Sequence, residues 1–556
     1  MDQQSPRPGF FNAIWLPLLF AITLAVGLYI GQYLQGSSTM ITRTARAPEV
    51  SGSGRVEQLM RFVETKYVDE VNNEKLAEAA IRAVLDELDP HSVFISSDEM
   101  AAVMESMQGN FDGIGIEFLI VDDTITVVAP VIGGPSEAVG IQSGDQIIMI
   151  EDSLVAGPTA VGLDPASLLR GEKGTTVSIE VQRYGQDQLL PFSITRAPIP
   201  MNSVDAAYLL DDQTAYIKVN RFSATTGGEF KQALEELVEQ KGARDLVIDL
   251  RGNPGGYLRE AVKMLNQLFE QRGLLLVYTE GRNSNREDHK SNGAAAYRIG
   301  QIVVLIDEVS ASASEIVAGA LQDHDRAIVV GRRSYGKGLV QEQYELEGGA
   351  GLRLTTARYF TPSGRSIQRP YVDGEDDNYD SDVNERYASG ELTGQTSVSL
   401  DSSQTFYTDS GHPVYGGGGI NPDYFVALDT SFNDYSFLVA RQQVPSYVFD
   451  YLDTHRDELT GRYPTMEEFV AQFQADENVY QAILSQARAA IADDQTPMGT
   501  ISGKLRLDLL TYFKARLARQ LYGPDAFYAV QNETDPMVES ALELLRQPDP
   551  LAAARQ

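Results

Sequence analysis

Cysteine is absent from all 556 residues, which excludes disulfides, thiol catalysis and cysteine-ligated zinc. Histidine is scarce at five positions, and no pair has metal-ligand spacing, so no histidine-held metal is expected; no organic cofactor is expected either. Basic residues are few: 45 Lys and Arg face 78 Asp and Glu, for a formal net charge of −33. Such a chain repels phosphate backbones, and no nucleic-acid partner is expected. What is present is ordinary for folded protein, with 43% hydrophobic and 22% charged residues. The length suggests roughly three or four folded units.

From Phe10 to Leu34 no residue is charged. The run exceeds the ~20 residues a helix needs to cross a hydrocarbon core and is too long for a cleavable signal peptide. The only nearby Ala-x-Ala site, Ala45-Arg46-Ala47, lies well beyond it. Residues 1–9 therefore read as an N-terminal tail, 10–34 as an uncleaved transmembrane anchor and 35–54 as a linker. Arg7 on one side faces Arg43 and Arg46 on the other, so charge leaves the orientation open.

Residues 55–106 carry apolar positions at helical spacing. From 107 to 198 the pattern turns to short strands between glycine-rich turns, with GIGIEF at 113–118 and TITVVAPV at 124–131, and short helices near 135–139 and 165–169. Residues 199–430 alternate strand and helix, the signature of an α/β layered domain with parallel strands. Within them 371–410, rich in Asp, Ser, Asn and Gly, reads as a mobile surface insertion without calcium-loop spacing. Residues 431–556 read as helical and acidic, with no visible chemistry.

Three segments carry candidate chemistry. SASASEI at 310–316 follows the strand ending at Ile306 and opens a helix, where a serine can project beside backbone N–H groups. Any one of its serines could equally be a helix cap. RSYGKGLVQ at 333–341 sets Lys337 between glycines; burial there would lower the amine's pKa and let it accept a proton, although such turns are commonly solvated loops. DLRGNPGG at 249–256 again joins a strand to a helix. Its Gly255 and Gly256 suit an oxyanion hole or simply a tight turn, and no phosphate-loop pattern is present.

Together these segments resemble the C-terminal processing peptidases, or tail-specific proteases, over residues 55–430. LDPHSVFI (88–95), YFTPSGRSIQRP (359–370) and GGGGINPD (416–423) agree. The resemblance implies that Ser312 is the nucleophile, because the family's lysine follows 25 positions later, at Lys337; Ser310 and Ser314 give 27 and 23. Gln341 would orient the amine. Gly255, Gly256 and Ala313 would supply the oxyanion donors, with the choice of glycine left open. The implied fold is an α/β multidomain architecture: a crotonase/ClpP-like core, an inserted β-rich PDZ domain, an N-terminal transmembrane helix and a helical C-terminal region. In the PDZ domain Gly113, Ile114, Gly115 and Ile116 would hold a substrate tail, with Leu168 and Leu169 lining its side-chain pocket.

The expected function is a serine endopeptidase with a Ser/Lys dyad that cleaves proteins near exposed, apolar C-termini outside the cytoplasm. The expected partners are protein substrates with exposed C-termini and a membrane, with a homo-oligomer left open. The rivals are a membrane-tethered PDZ adaptor on a non-catalytic scaffold, a crotonase-like acyl-CoA enzyme, and a histidine base at His91 or His324 in place of lysine.

Overall fold

The computed structural model describes residues 52–121, 123–157, 164–371, 381–396, 402–491 and 498–555. The expected anchor at 10–34 and most of the linker lie outside these residues. Among the described residues, no helix is long and apolar enough to cross a membrane. Residues up to Ile81 and residues from Arg82 onward form separate compact units. Helix α1 (Gly52–Lys66) lies in the first, and α2 (Asn73–Leu85) runs across the division.

Strand β1 (Val93–Ile95) leads into α3 (Ser97–Gln108). Ser96 and Glu99 form a capping box at the start of α3, and Gly109 ends it at φ 78°. A side chain at Gly109 would meet the Ser223 hydroxyl at 2.8 Å, so glycine is required where the chain leaves for the inserted domain. That domain is closed at its base by β2 (Asn110–Gly113) pairing antiparallel with β9 (Ala197–Pro200). Between them lie β3 (Ile116–Val121), β4 (Thr124–Pro130), α4 (Pro135–Val139), β5 (Gln146–Ile150), β6 (Ser153–Leu154), α5 (Pro165–Leu169), β7 (Thr176–Gln182) and β8 (Leu190–Thr195). The sheet order is β3-β4-β5-β7-β8, which leaves β3 on an edge. GIGIEF is thus not one strand: Gly115, at φ 71°, turns the chain between β2 and β3.

The larger sheet contains β10 (Val204–Leu209), β11 (Thr214–Val219), β12 (Asp245–Asp249), β15 (Ile302–Ile306), β16 (Ile328–Gly331) and β21 (Tyr424–Phe425) in that order. All neighbours are parallel except β10 and β11. The crossovers include α6 (Thr226–Leu234), α7 (Leu258–Leu265) and α8 (Ala313–Asp323). Along β15 every residue is buried, because the sheet is covered on both faces. Ile302, Val304 and Ile306 meet the crossover helices. Val303 and Leu305 meet Met537, Val538 and Leu544 from the end of the chain.

An antiparallel sheet that the pattern did not reveal runs β1-β18-β13-β14, with β17 on β18. It comprises β13 (Arg272–Glu280), β14 (Glu287–Asn292), β17 (Leu339–Glu345) and β18 (Gly351–Phe360) besides β1. The reading of 371–410 as a mobile surface insertion needs correction for its described parts. Helix α9 (Asp382–Ala388) buries Arg386, which donates to the carbonyls of Arg333 and Ser334 and pairs with Glu391. Leu392 is buried as well, and β19 (Thr405–Tyr407) pairs with β20 (Pro413–Tyr415). Polar composition misled here because the buried charges are paired.

The C-terminal region is helical as expected: α10 (Tyr435–Arg462), α11 (Met466–Gln472), α12 (Glu477–Ala490), α13 (Gly503–Tyr522), α14 (Pro524–Asn532), α15 (Pro536–Leu545) and α16 (Pro550–Ala554). Besides covering the sheet, it holds the inserted domain. Arg519 donates to both carboxylate oxygens of Glu117 on β3 at 2.9 Å, and Ser143 donates to Gln520 at 2.6 Å.

Candidate active site

The segment 310–316 interlocks with the turn at 249–256. Ser310 is fully buried and donates to the Leu250 carbonyl at 2.9 Å. Ser314 is fully buried and donates to the Asn253 carbonyl at 3.0 Å. Ser312, between them, instead lines a cleft of about 1240 Å³ together with Lys337 and Gln341. Its backbone sits at φ 54°, ψ −113°, a conformation that costs a non-glycine residue of order 1–3 kcal/mol and recurs at functional sites.

Gly255 lies directly against this turn: a Cβ there would stand 2.7 Å from the Ala311 carbonyl and 2.7 Å from the Ser312 Cβ. The two glycines are not equivalent. The Gly255 N–H donates to Asn253 Oδ1 at 2.8 Å and is therefore engaged. The N–H groups of Gly256 and of Ala313, the first residue of α8, make no hydrogen bond among the described residues.

Lys337 donates from Nζ to Gln341 Oε1 at 2.9 Å. The Gln341 amide is held in turn by the His91 carbonyl. That carbonyl belongs to the DPHS turn, in which Asp89 accepts from the N–H groups of His91 and Ser92 and from Thr355 of β18. Burial, followed by the positive charge of Arg353, lowers the Lys337 amine to about 8. The flanking glycines serve close packing. Gly336 takes φ 88°, and a side chain on Gly338 would meet the Gln368 N–H nitrogen at 2.9 Å.

Two further residues, neither foreseen as part of the site, staple the serine turn to the lysine turn. Glu315 is fully buried. Its Oε1 accepts from the Ser334 hydroxyl at 2.5 Å and the Gly336 N–H at 2.7 Å. Its Oε2 accepts from the N–H groups of Ser312 at 2.8 Å and Lys337 at 2.9 Å. Burial raises this carboxyl to about 7 against the pull of those donors. The Tyr359 hydroxyl is shared between the carbonyls of Ser312 at 3.0 Å and Lys337 at 2.6 Å. No hydrogen bond directly joins the Ser312 hydroxyl to the Lys337 amine in this state; such contacts commonly tighten only when substrate binds.

The histidines are accounted for separately. His324 ends α8, and its ring nitrogens are held by Asp409 at 2.8 Å and by the Leu275 carbonyl at 2.7 Å. His91 is closer to Lys337, but burial and then that lysine depress its imidazole to about 4.

The 249–256 turn is braced from behind. Arg251 pairs with buried Asp249 at 2.6 Å and with Asp535 at 2.6 Å, the residue that caps α15. Lys218 also pairs with Asp249, at 3.1 Å.

In the inserted domain, Gly113 ends β2, Ile116 opens the edge strand β3, and Ile114 is buried between them. Leu168 is half-buried. Leu169 is 4% exposed and packs into the domain's core.

Comparison with known proteins follows the same outline. The profile of Peptidase family S41 matches residues 213–375, and that of the PDZ domain matches 113–194. A family of unknown function, DUF8443, matches 435–523. Among solved structures, a photosystem II D1 C-terminal processing protease is 29% identical, covering 56% of this chain and 83% of that one, with a TM-score of 0.31. The carboxy-terminal-processing protease of Bartonella bacilliformis is 34% identical over 353 residues, 62% of this chain and 80% of that protein. Carboxy-terminal processing protease CtpB of Bacillus subtilis is 34% identical over 359 residues, 62% of this chain and 73% of CtpB.

The chain belongs to the carboxy-terminal processing proteases. It is thus a serine-type peptidase of family S41 that carries a PDZ domain. The helical region beyond Thr430 lies outside the segments matched to S41 and the PDZ domain, and it reaches both the 249–256 turn and the PDZ strand β3.

Proposed function

We propose that Ser312 is the nucleophile and Lys337 the general base of a peptidase that cuts near protein C-termini. The observation that carries this reading is that Ser310 and Ser314 are buried in hydrogen bonds to the 249–256 turn, whereas Ser312 alone of the three faces the cleft containing Lys337. The neutral amine takes the proton of the Ser312 hydroxyl as Oγ attacks the scissile carbonyl carbon. The N–H groups of Gly256 and Ala313 receive the developing oxyanion. Lys337 then returns the proton to the leaving amine. A water molecule, deprotonated by the same amine, hydrolyses the acyl-enzyme. Gln341 fixes the amine without adding charge.

The tail of the substrate adds to the open edge of β3, its carboxylate at the 113–116 turn, and Met100, Met104 and Met107 on α3 give the cleft an apolar, adaptable wall. The uncharged run 10–34 supports a membrane anchor with the catalytic part outside the cytoplasm. A serine-reactive fluorophosphonate probe tests the reading: it labels the wild type at Ser312, and Ser312→Ala loses both labelling and peptidase activity, by at least about 10⁴-fold in kcat. Labelling at Ser310 or Ser314, or persistence of activity in Ser312→Ala, contradicts it.

A further inference from the structure

The cleft runs against the charge of the whole protein. The chain has 33 more acidic than basic residues, yet Arg221, Arg259, Lys337 and Arg353 line the cleft, with Glu345 as its one carboxylate among the described residues. Three of the four cations have local company. Arg221 donates to Asn220 at 3.3 Å, Arg259 lies over the Tyr257 ring near Glu260, and Lys337 is held by Gln341.

Arg353 differs. It is half-buried on β18, and among the described residues its guanidinium has no ion pair and no hydrogen bond. In the antiparallel register Arg353 stands opposite Gln343, and Thr355 stands opposite Gln341. Cross-strand partners share a face, and residues two apart on a strand share it too, so Arg353 lies on the face that carries the partner of Lys337. Removing a guanidinium from water without an anion is unfavourable, and burial alone draws its pKa below the ordinary arginine value. A planar cation held in this way offers a two-pronged site for a carboxylate.

We propose that Arg353 is a substrate-recognition residue that binds a carboxylate of the peptide lying in the cleft. This rests on the reading that the cleft around Ser312 holds the scissile segment. Two sources share the chemistry: an Asp or Glu side chain near the cut, and the terminal carboxylate of a peptide whose end lies in the cleft rather than at the 113–116 turn.

The test measures binding rather than turnover, by fluorescence anisotropy of labelled apolar peptides on Ser312→Ala protein at low salt. One Glu is walked along the sequence beside a Gln control, and each peptide is made as free acid and as amide. At one position Glu binds about tenfold tighter than Gln, and Arg353→Met in the same background abolishes that preference while Arg353→Lys keeps part of it. If the side chain is the source, the ratio of free acid to amide is untouched by Arg353→Met; if the tail is the source, that ratio falls toward one instead. The proposal is overturned if Arg353→Met changes neither ratio, or weakens all peptides equally. Raised salt should erode the preference in Ser312→Ala protein that keeps Arg353, a measurement that holds even if Arg353→Met folds poorly. Failure of the dyad reading would appear separately, as turnover by the single variant Ser312→Ala.

Discussion

The turns around Ser312 and Lys337 and the PDZ domain are built on opposite terms. Around Ser312 and Lys337 the supporting groups are bound on several sides: Glu315 takes four donors, Tyr359 spans two carbonyls, and the flanking serines are tied to the neighbouring turn. The PDZ domain keeps β3 on an open edge, and exposed or half-exposed side chains such as Glu117 and Arg519 hold it to the C-terminal helices. On the proposed reading, rigid preorganisation holds the strained Ser312 ready for attack, whereas the edge strand β3 is what an added strand would pair with. Substitutions should therefore divide into those that lower kcat with little effect on capture, and those that do the reverse.

The largest effect expected after loss of Ser312 itself is at Glu315. Glu315→Gln replaces one acceptor oxygen with an amide that faces donors. The Ser312 and Lys337 turns then lose their common staple, and kcat should fall by roughly 10²-fold with KM little changed. Equal falls in kcat and in folded protein, read by thermal unfolding, would reduce Glu315 to a purely structural role. Gly115→Val should act on the other side of the comparison. Gly115 is at φ 71°, and an added Cβ would meet Ile199 at 2.9 Å. Valine there should weaken binding of free-acid tail peptides by about tenfold while leaving cleavage of short internal peptides near wild type, measured by calorimetry and peptidase assay together. A uniform loss in both would erase the distinction between the regions. The smallest effect is at Asp535→Asn, which retains a side-chain cap for α15 but removes the charge facing Arg251. A loss of about 1–2 kcal/mol in stability and a few-fold drop in kcat are expected; an unchanged kcat would mean that the C-terminal helices cover the sheet without steadying the oxyanion turn.

Legibility in the sequence followed the same division. Strands β12, β15 and β16 were readable because burial on both faces demands continuous apolar runs. Strands β14 and β17, EDHKSN and LVQEQYE, were not, since much of each is exposed and their stability comes from neighbours distant in sequence. Ser312, Lys337 and Gln341 came from spacing within a family pattern, and the structure brings Ser312 and the lysine–glutamine pair to one cleft. Spacing could not distinguish Gly255 from Gly256, because the difference lies in a hydrogen bond from one of them to Asn253. Nor could it place Leu169 in a core or pair Arg251 with Asp535 across 284 positions, since neither leaves a local signature.

The central claim is that a lysine, not a histidine, takes the serine proton, and the pH dependence of kcat/KM tests it most directly. An amine lowered to about 8 is mostly protonated at pH 7 and becomes a base as pH rises. His91, held near 4, is already neutral across that range and contributes no limb. With a peptide that does not titrate there, wild-type kcat/KM should climb through a single limb near pH 8 and level off above it. Lys337→Arg should be inactive at every pH, because guanidinium does not give up its proton. Substantial activity in Lys337→Arg, or a wild-type limb that disappears when His91 is replaced by Gln, would contradict the account.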